Sequence, residues 1–417
     1  MNAPDIAAAH PKPVILSIFA LTYLGTAIGR VPGLKLNRVG IVLLGAIAML
    51  IFGRFETKEA VQCINWPTIL LLFGFFVISA QLRLSGFYDW IAGGVATRLG
   101  HPARFLLLLM AVAGGLSAFL NNDIVCFVFA PIVGSALIRK QMNPVPFLIA
   151  LAVSSNLGAA ATLIGNAQNM MIGEVAHLGF GHYMLWGAAP VLFAFAAAFG
   201  IIWFLSSKNL QSPFSPDACP PREKYPLDLP HTIKGLVILA VVIGFFFTSF
   251  PKEIIALAAA AIHLASPKFR TEDIFKLIDW SVLVLFMGLF IVTGAFQSTG
   301  VGDQAVHWLM QSGVDLNRPT ILALSTAAMS NLISNSAATM LLLKVVNLAQ
   351  PSTAYILALA NSFGGNLIII GSIANIIVVQ QARDLGVNIS FRDFARLGIP
   401  VTLAALAGLL GWIALMT

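Results

Sequence analysis

The chain has 417 residues, of which 58% are hydrophobic and only 10% charged, with a mean hydropathy of +0.89. A soluble domain carries roughly 25% charged residues, so this composition excludes a water-soluble globular protein. The formal charge of +7 fits basic loops at a membrane surface and not a nucleic-acid-binding face.

Long apolar runs recur along the chain. They contain Gly and Pro and lack period-two alternation, which predicts helices and not a β-barrel. The arm before the first run has no basic n-region, and no cleavage site follows that run. It is expected to be a retained span and not a signal peptide. Cys63, Cys126 and Cys219 lie in unrelated segments, with no CxxC or Cys/His cluster. No structural metal, disulfide framework or cofactor is therefore expected.

Taken in order, spans are predicted at 13–29, 37–53 and 66–83, then an amphipathic stretch at 85–99. Residues 103–139 follow, with the sequence LSAFLNNDIVCFVFAP at their centre. Asn121, Asn122 and Asp123 interrupt an otherwise apolar run. Its two arms, each about 16 residues, are short for spans that need about 20. A re-entrant hairpin is expected, with its polar tip near mid-membrane. Residues 144–174 form a helix broken at SSNLG and GNAQN, and 184–205 close the first half.

Residues 206–230 concentrate Pro, Ser and charge and read as a linker. The second half repeats the order: spans at 231–250, 252–266 and 280–297, and an amphipathic stretch at 301–312. A hairpin at 319–345 carries MSNLISNSAAT. A broken helix at 354–379 carries NSFGGNLIIIGSIAN, and the last span is 395–416. Ile64, Trp66, Leu71, Gly74, Phe76 and Gly86 recur 214 residues later as Ile278, Trp280, Leu285, Gly288, Phe290 and Gly300. Ser117 and Asn122 recur at an offset of 213 as Ser330 and Asn335. Gly158, Gly165 and Asn169 recur at 206 as Gly364, Gly371 and Asn375, and Pro190 and Val191 at 210 as Pro400 and Val401.

Four blocks in one order indicate two diverged copies. Each copy has about five spans and one hairpin, and an odd number of crossings inverts the second. The expected fold is an all-α polytopic membrane protein with two inverted repeats, 1–205 and 231–417, joined by the linker 206–230.

Loop charge orients this arrangement. Lys12, Arg54, Lys58, Lys252, Arg318 and Lys344 fall on one side; of 24 Lys and Arg, the remaining 24 − 6 = 18 fall on the other. Positive-inside bias then puts the linker in the cytoplasm and both termini outside the plasma (inner) membrane.

The polar residues at depth are the candidate site, because a bilayer core has no water to solvate them. Asn supplies donors and an acceptor, and Ser can do either. Asn121, Asn122, Ser334, Asn335 and Ser336 at the tips could replace the hydration shell of a small solute. The alternative is that they pin the hairpins to their neighbours. Asn166, Asn169, Ser372 and Asn375 belong to the broken helices. There Gly158, Gly165, Gly364 and Gly371 permit unwinding, or else close helix packing. Asp123 is the one acid at the tips and the candidate proton-coupling group. Asn65 and Asp279 read as helix caps, and His177, His182, His263 and His307 as solvated. No Walker A sequence is present, so the chain has no ATP drive of its own, and nothing in it names a soluble ATPase partner.

The NND hairpin followed by AP, the SNLGAAATLIGNAQN break, the NLISNSAAT hairpin and the GGNLIIIGSIAN break resemble the ion transporter superfamily over nearly the whole chain. That superfamily includes ArsB-type arsenite permeases, NhaD-type sodium/proton antiporters and divalent anion/sodium symporters. The resemblance implies a scaffold, a moving transport unit holding hairpins and broken helices, elevator-type alternating access, and homodimers in many members. Divalent anion symporters carry Ser-Asn-Thr at both tips, a pattern only half kept here. The Asn-Asp pair, chain length and short loops look closer to ArsB-type permeases. With no Lys or Arg at the tips, the expected function is proton-coupled efflux of arsenite or antimonite. The alternative is a sodium- or proton-coupled carrier of a dicarboxylate-like anion. A membrane-embedded enzyme would need a nucleophile and base or a metal cluster, and the tips offer neither.

Overall fold

In a computed structural model of the chain, the described residues are all but 1–10, 30–35, 208–225, 302–303, 305–310, 312–314 and 417. Most of the expected linker, with Cys219, and most of the amphipathic stretch 301–312, with His307, lie outside them.

The first half runs α1 (Lys12–Ile28), α2 (Arg38–Ile51), α3 (Thr57–Cys63), α4 (Trp66–Leu84) and α5 (Phe87–Ala96). It continues through α6 (Pro102–Phe119), α7 (Asn122–Arg139), α8 (Val145–Ala159), α9 (Ala167–Val175) and α10 (Phe180–Ser206). The second half runs α11 (Leu229–Phe245), α12 (Lys252–Leu264), α13 (Thr271–Phe275) and α14 (Trp280–Ser298). Then come α15 (Pro319–Ile333), α16 (Asn335–Val345), α17 (Pro351–Gly364), a 3-10 turn Ile369–Gly371, α18 (Ile373–Asp384) and α19 (Phe391–Met416). No strand occurs among the described residues. By length and composition α4, α6, α7, α10, α14 and α19 can each cross a membrane. The protein is an all-helical polytopic membrane protein.

Local chemistry starts these helices in matched ways. Asn65 caps α4 by accepting from the Thr68 amide at 2.9 Å, and Asp279 caps α14 by accepting from Val282 at 3.1 Å. Capping of this kind contributes roughly 1 kcal/mol. Gly86 and Gly300, which follow α4 and α14, both have positive φ, 75° and 71°. The short α3 and α13, absent from the sequence reading, also begin at matched residues, Thr57 and Thr271.

The halves embrace reciprocally. α4 packs on α12 and α14 packs on α2. At the first crossing a Cβ on Gly74 would come within 2.7 Å of Ala256 Cβ; at the second, one on Gly288 would meet Val42 Cγ1 at 2.8 Å. The offsets agree: 288 − 74 = 214 and 256 − 42 = 214. A contact exchanged between copies in this way is the mark of a two-fold relation.

Around this frame lie the hairpins α6–α7 and α15–α16, the broken helices α8–α9 and α17–α18, and the long α10 and α19. α6 packs on α8, α15 on α17, and α10 on α19. The hairpin arms differ from expectation: 18 and 18 residues in the first, 15 and 11 in the second. Asn122 and Asn335 are the first residues of α7 and α16, so in each hairpin the polar tip is wound into the second arm.

Where the linker ends, Asp228 caps α11 and pairs with Lys268 and His231. The Lys268 hydrogen bond holds the Asp228 carboxyl down at about 2.

Candidate functional site

A cavity of about 500 Å³ lies between the two tips and the two breaks. Asn122 and Asp123 from α7 and Ser334, Asn335 and Ser336 from the α16 entry line it. Asn166 and Gln168 from the α9 entry, Gly371 and Ser372 before α18, and Asn156 and Ser362 complete the polar wall. Arg38, at the first turn of α2, stands in the same wall.

Four helix N-termini therefore converge on one space: those of α7, α9, α16 and α18. Each brings the positive end of a helix dipole; in α7 and α9 some of the first amides are already capped, Asn122 by the Gly165 carbonyl, Asp123 by Asn121 and Asn169 by Asn166. Ser334 makes the second tip abrupt, with φ 86° and ψ 152° joining α15 to α16 through a single residue.

Asn156 is the hub of the polar network. Its Oδ1 accepts from Asn122 Nδ2 at 3.1 Å and from Ser372 Oγ at 3.0 Å. Its Nδ2 donates to Asn366 Oδ1 at 2.9 Å and to Asn375 Oδ1 at 3.0 Å. Gln168 Nε2 donates to Ser336 Oγ at 2.8 Å, which ties the α9 entry to the opposite tip. Asn335 Oδ1 is buried with no protein partner among the described residues, so an acceptor stands ready at the cavity wall.

Not every expected residue faces this space. Asn169 and Asn375 are fully buried and brace the breaks instead. Asn169 Nδ2 donates to the Ala159 and Thr162 carbonyls at 3.1 and 3.0 Å; Asn375 Nδ2 donates to Gly365 and Ile368 at 2.7 and 3.1 Å. All four groups correspond at an offset of 206, so one device closes both breaks. An interrupted helix leaves carbonyls unpaired, and a buried amide there removes that cost. Asn121 is likewise turned to its own backbone, accepting from the Asp123 amide at 2.8 Å.

The glycines correct another expectation. None of Gly158, Gly165, Gly364 and Gly371 has positive φ. Gly158 sits inside α8, where a Cβ would lie 2.1 Å from the Gly114 carbonyl oxygen. Gly364 ends α17 with Ala327 Cα 2.8 Å from a Cβ position. These two provide close approach of the hairpins, not unwinding. Gly165 and Gly371 do lie in the breaks, again where backbone leaves no room for a side chain.

Arg38 was legible only as loop charge, Asn156 only as part of SSNLG, and Gln168 only as part of GNAQN. His263, expected to be solvated, is fully buried. Cys126 is buried one turn beyond Asp123. Among the described residues no group of three or more His, Cys, Asp or Glu could hold a metal ion.

Residues 23–356 match the family model CitMHS, described as citrate transporter. The chain belongs to the citrate transporter family. The match includes both hairpins and the first broken helix, so the cavity-lining tips are part of what this citrate transporter family member shares. An uncharacterized transporter of Mycobacterium tuberculosis is 28% identical over 413 residues, 94% of this chain and 96% of the relative. The magnetosome protein MamN of Magnetospirillum gryphiswaldense is 26% identical over 86% of this chain and 90% of its own. The silicon efflux transporter LSI3 of Oryza sativa is 24% identical over 96% and 97%. Among solved structures, the Alcanivorax borkumensis YdaH transporter superposes with a TM-score of 0.56 at 15% identity, covering 97% of both chains. That likeness carries the fold alone. This family member is a membrane transporter of a small solute.

Proposed function

We propose that this transporter carries a small oxygen-rich anion of the carboxylate class, together with a proton held by Asp123. The observation that carries the reading is Arg38 in the same cavity wall as four helix N-termini. A guanidinium presents a planar fork of donors that matches a carboxylate, and helix N-termini favour negative charge without any side-chain cation. The tips themselves carry no Lys or Arg, and Arg38 reaches the cavity from another helix.

Asp123 supplies the coupling. Its anionic form opposes a bound anion: at about 6 Å and an effective dielectric constant of about 20 the repulsion is about 3 kcal/mol. Anion and proton therefore favour each other's binding, and linkage makes the effect mutual. The repeats 1–205 and 231–417, joined by a cytoplasmic linker with both termini outside, make the Arg38 side the cytoplasmic face of the plasma (inner) membrane. Access alternates by elevator movement of the hairpins and broken helices against α2, α4, α12 and α14, in the dimer that the superfamily resemblance implies.

A second reading is proton-coupled efflux of arsenite or antimonite, uncharged polyhydroxides near neutral pH. The amides and hydroxyls of Asn122, Asn156, Asn335 and Ser336 favour it, as does a relative that exports silicon. Vesicle flux with di- and tricarboxylates and with arsenite, under proton and sodium gradients imposed separately, tests both. Carboxylate accumulation driven by a proton gradient supports the first reading. Arsenite movement without carboxylate movement overturns it in favour of the second.

A further inference from the structure

The cavity wall around Arg38 includes the exposed Asn37 and Ile370, and the residue that matches Arg38 in the other repeat sits in a more closed setting. Lys252 is the first residue of α12 as Arg38 is the first of α2, and 252 − 38 = 214 is the offset of this block. Lys252 does not line the cavity. Its Nζ donates to the Leu178 carbonyl at 3.2 Å and faces Glu174 Oε1 at 3.8 Å. Both side chains are mostly buried, 19% and 11% exposed. Glu174 lies on α9, whose entry lines the cavity, and Lys252 lies on the frame that packs against α4. Next to this pair the start of α10 is packed shut: Phe180 stands edge-on to Phe246 and Phe247 at 5.6 and 5.3 Å.

Arg38 sits differently. It lines the cavity, and among the described residues its guanidinium donates to the Ile370 carbonyl at 3.5 Å. The repeat supplies what it would meet if its side closed. Glu174 corresponds to Gln380 and Leu178 to Asp384 at the 206 offset. Asp384 now accepts from Gln380 Nε2 at 3.0 Å on the exposed end of α18. One half thus shows a closed cation contact and the other shows its open counterpart.

We propose that Lys252 and Glu174 are the latch that holds this state, and that Arg38 takes the matching place against the Gln380–Asp384 end of α18 when access switches. The proposal rests on the alternating-access reading above. Each cation bridges frame and moving unit in one state and is released in the other. An equilibrium between two states shifts only by the contacts that differ between them, and these contacts differ.

The test uses the full chain in proteoliposomes, with Cys63, Cys126 and Cys219 replaced by Ser and a reporter introduced by Ile376→Cys, a cavity-lining position. The rate of reaction with a membrane-impermeant maleimide from the Arg38 side reads the population of the present state. Lys252→Ala and Glu174→Gln should each shift the equilibrium about three- to tenfold away from this state, the shift that loss of one partly buried ion pair supplies, and so lower the labelling rate by up to that factor. Asp384→Asn should have the opposite sign or leave the rate unchanged, and Lys252→Arg should label as the parent does. The charge-swapped Glu174→Lys/Lys252→Glu protein should label faster than either single variant without reaching the parent rate, because the ion pair is restored while the Leu178 carbonyl loses its donor; a merely misfolded single variant could not be rescued in this way. Parent-like labelling in Lys252→Ala, or failure of the swap to label faster than either single variant, overturns the latch. Absence of any solute flux in the unsubstituted protein sinks the transport reading instead, and leaves the labelling comparison standing on its own.

Discussion

Ser372 Oγ donates to Asn156 Oδ1 at 3.0 Å across 216 residues of sequence. The exchanged contact is also present: Asn166 Nδ2 donates to Ser362 Oγ at 3.2 Å. Asn166 and Ser372 are the N-cap residues of the two returning half-helices, 206 residues apart, and Asn156 and Ser362 stand 206 apart in the outgoing halves. Each break is thus stitched to the other repeat at the cavity wall. The polar network between the tips belongs to neither half alone.

The hub is the place to test that network. Asn156→Ala would orphan groups on Asn122, Ser372, Asn366 and Asn375 at once. Each buried orphan costs about 1–3 kcal/mol, partly offset where the cavity admits water. The expected outcome is a clear fall in thermal stability of the purified protein together with loss of flux. Asn156→Asp keeps two acceptors but loses both donated bonds, so it should rank between the two. Wild-type stability in Asn156→Ala would mean that the bonds around it are individually dispensable.

Close packing gives a second, sharper contrast. Gly158→Ala puts a Cβ against the Gly114 backbone, an atom that cannot swing aside. Overpacking of a tight core costs about 1–3 kcal/mol or more, and here it would also push the first hairpin off α8. Gly115→Ala, one residue from that contact and with nothing within 4 Å of its Cβ position, should be neutral or stabilising by up to about 1 kcal/mol. Expression and melting temperature of the two variants side by side measure the difference.

Arg38 separates the two solute readings. Arg38→Gln removes the cavity's guanidinium and leaves a shorter, neutral side chain that can still hydrogen-bond. For a carboxylate solute the loss of a charge-assisted pair should weaken apparent affinity about tenfold or more. Arg38→Lys should recover only part of this, since an ammonium lacks the fork. For arsenite both variants should change affinity by less than threefold or so. Concentration dependence of flux in the three proteins decides.

Much of this architecture is legible in the residues themselves. The offsets of 214, 213, 206 and 210 mark two copies, and polar tips inside apolar runs mark the cavity. What stays hidden is tertiary. Arg38 reads as loop charge because only folding brings α2 against the second break. For Gly158 and Gly364 unwinding and close packing stay equally open in the sequence because the carbonyl or Cα that crowds them comes from another helix. Asn169 and Asn375 read as ligands because the carbonyls they satisfy appear only when their helices break. The helices α3 and α13 are too short, at 7 and 5 residues, to show a periodic pattern.

Asp123 carries the last prediction, and its sign differs between mechanisms. It lines the cavity with both tips, so a solute held there senses its charge. With an anionic solute, protonation of Asp123 removes a like charge, so affinity should rise as pH falls and the proton should travel with the anion. Asp123→Asn fixes the uncharged form: binding should be tight and nearly independent of pH between about 5 and 8, while accumulation driven by a proton gradient disappears. Downhill exchange should persist, because the site still binds and the contacts of Lys252 and Arg38 are untouched. With an uncharged polyhydroxide exchanged for a proton, solute and proton instead compete at Asp123. The parent's affinity should then fall as pH falls, the reverse slope. Flux and binding measured across that pH range for the parent and for Asp123→Asn therefore read both the coupling group and the direction of coupling. Full proton-driven accumulation in Asp123→Asn would remove Asp123 from the role, and Glu174, the acid on α9 beside Lys252, would be the next group to replace.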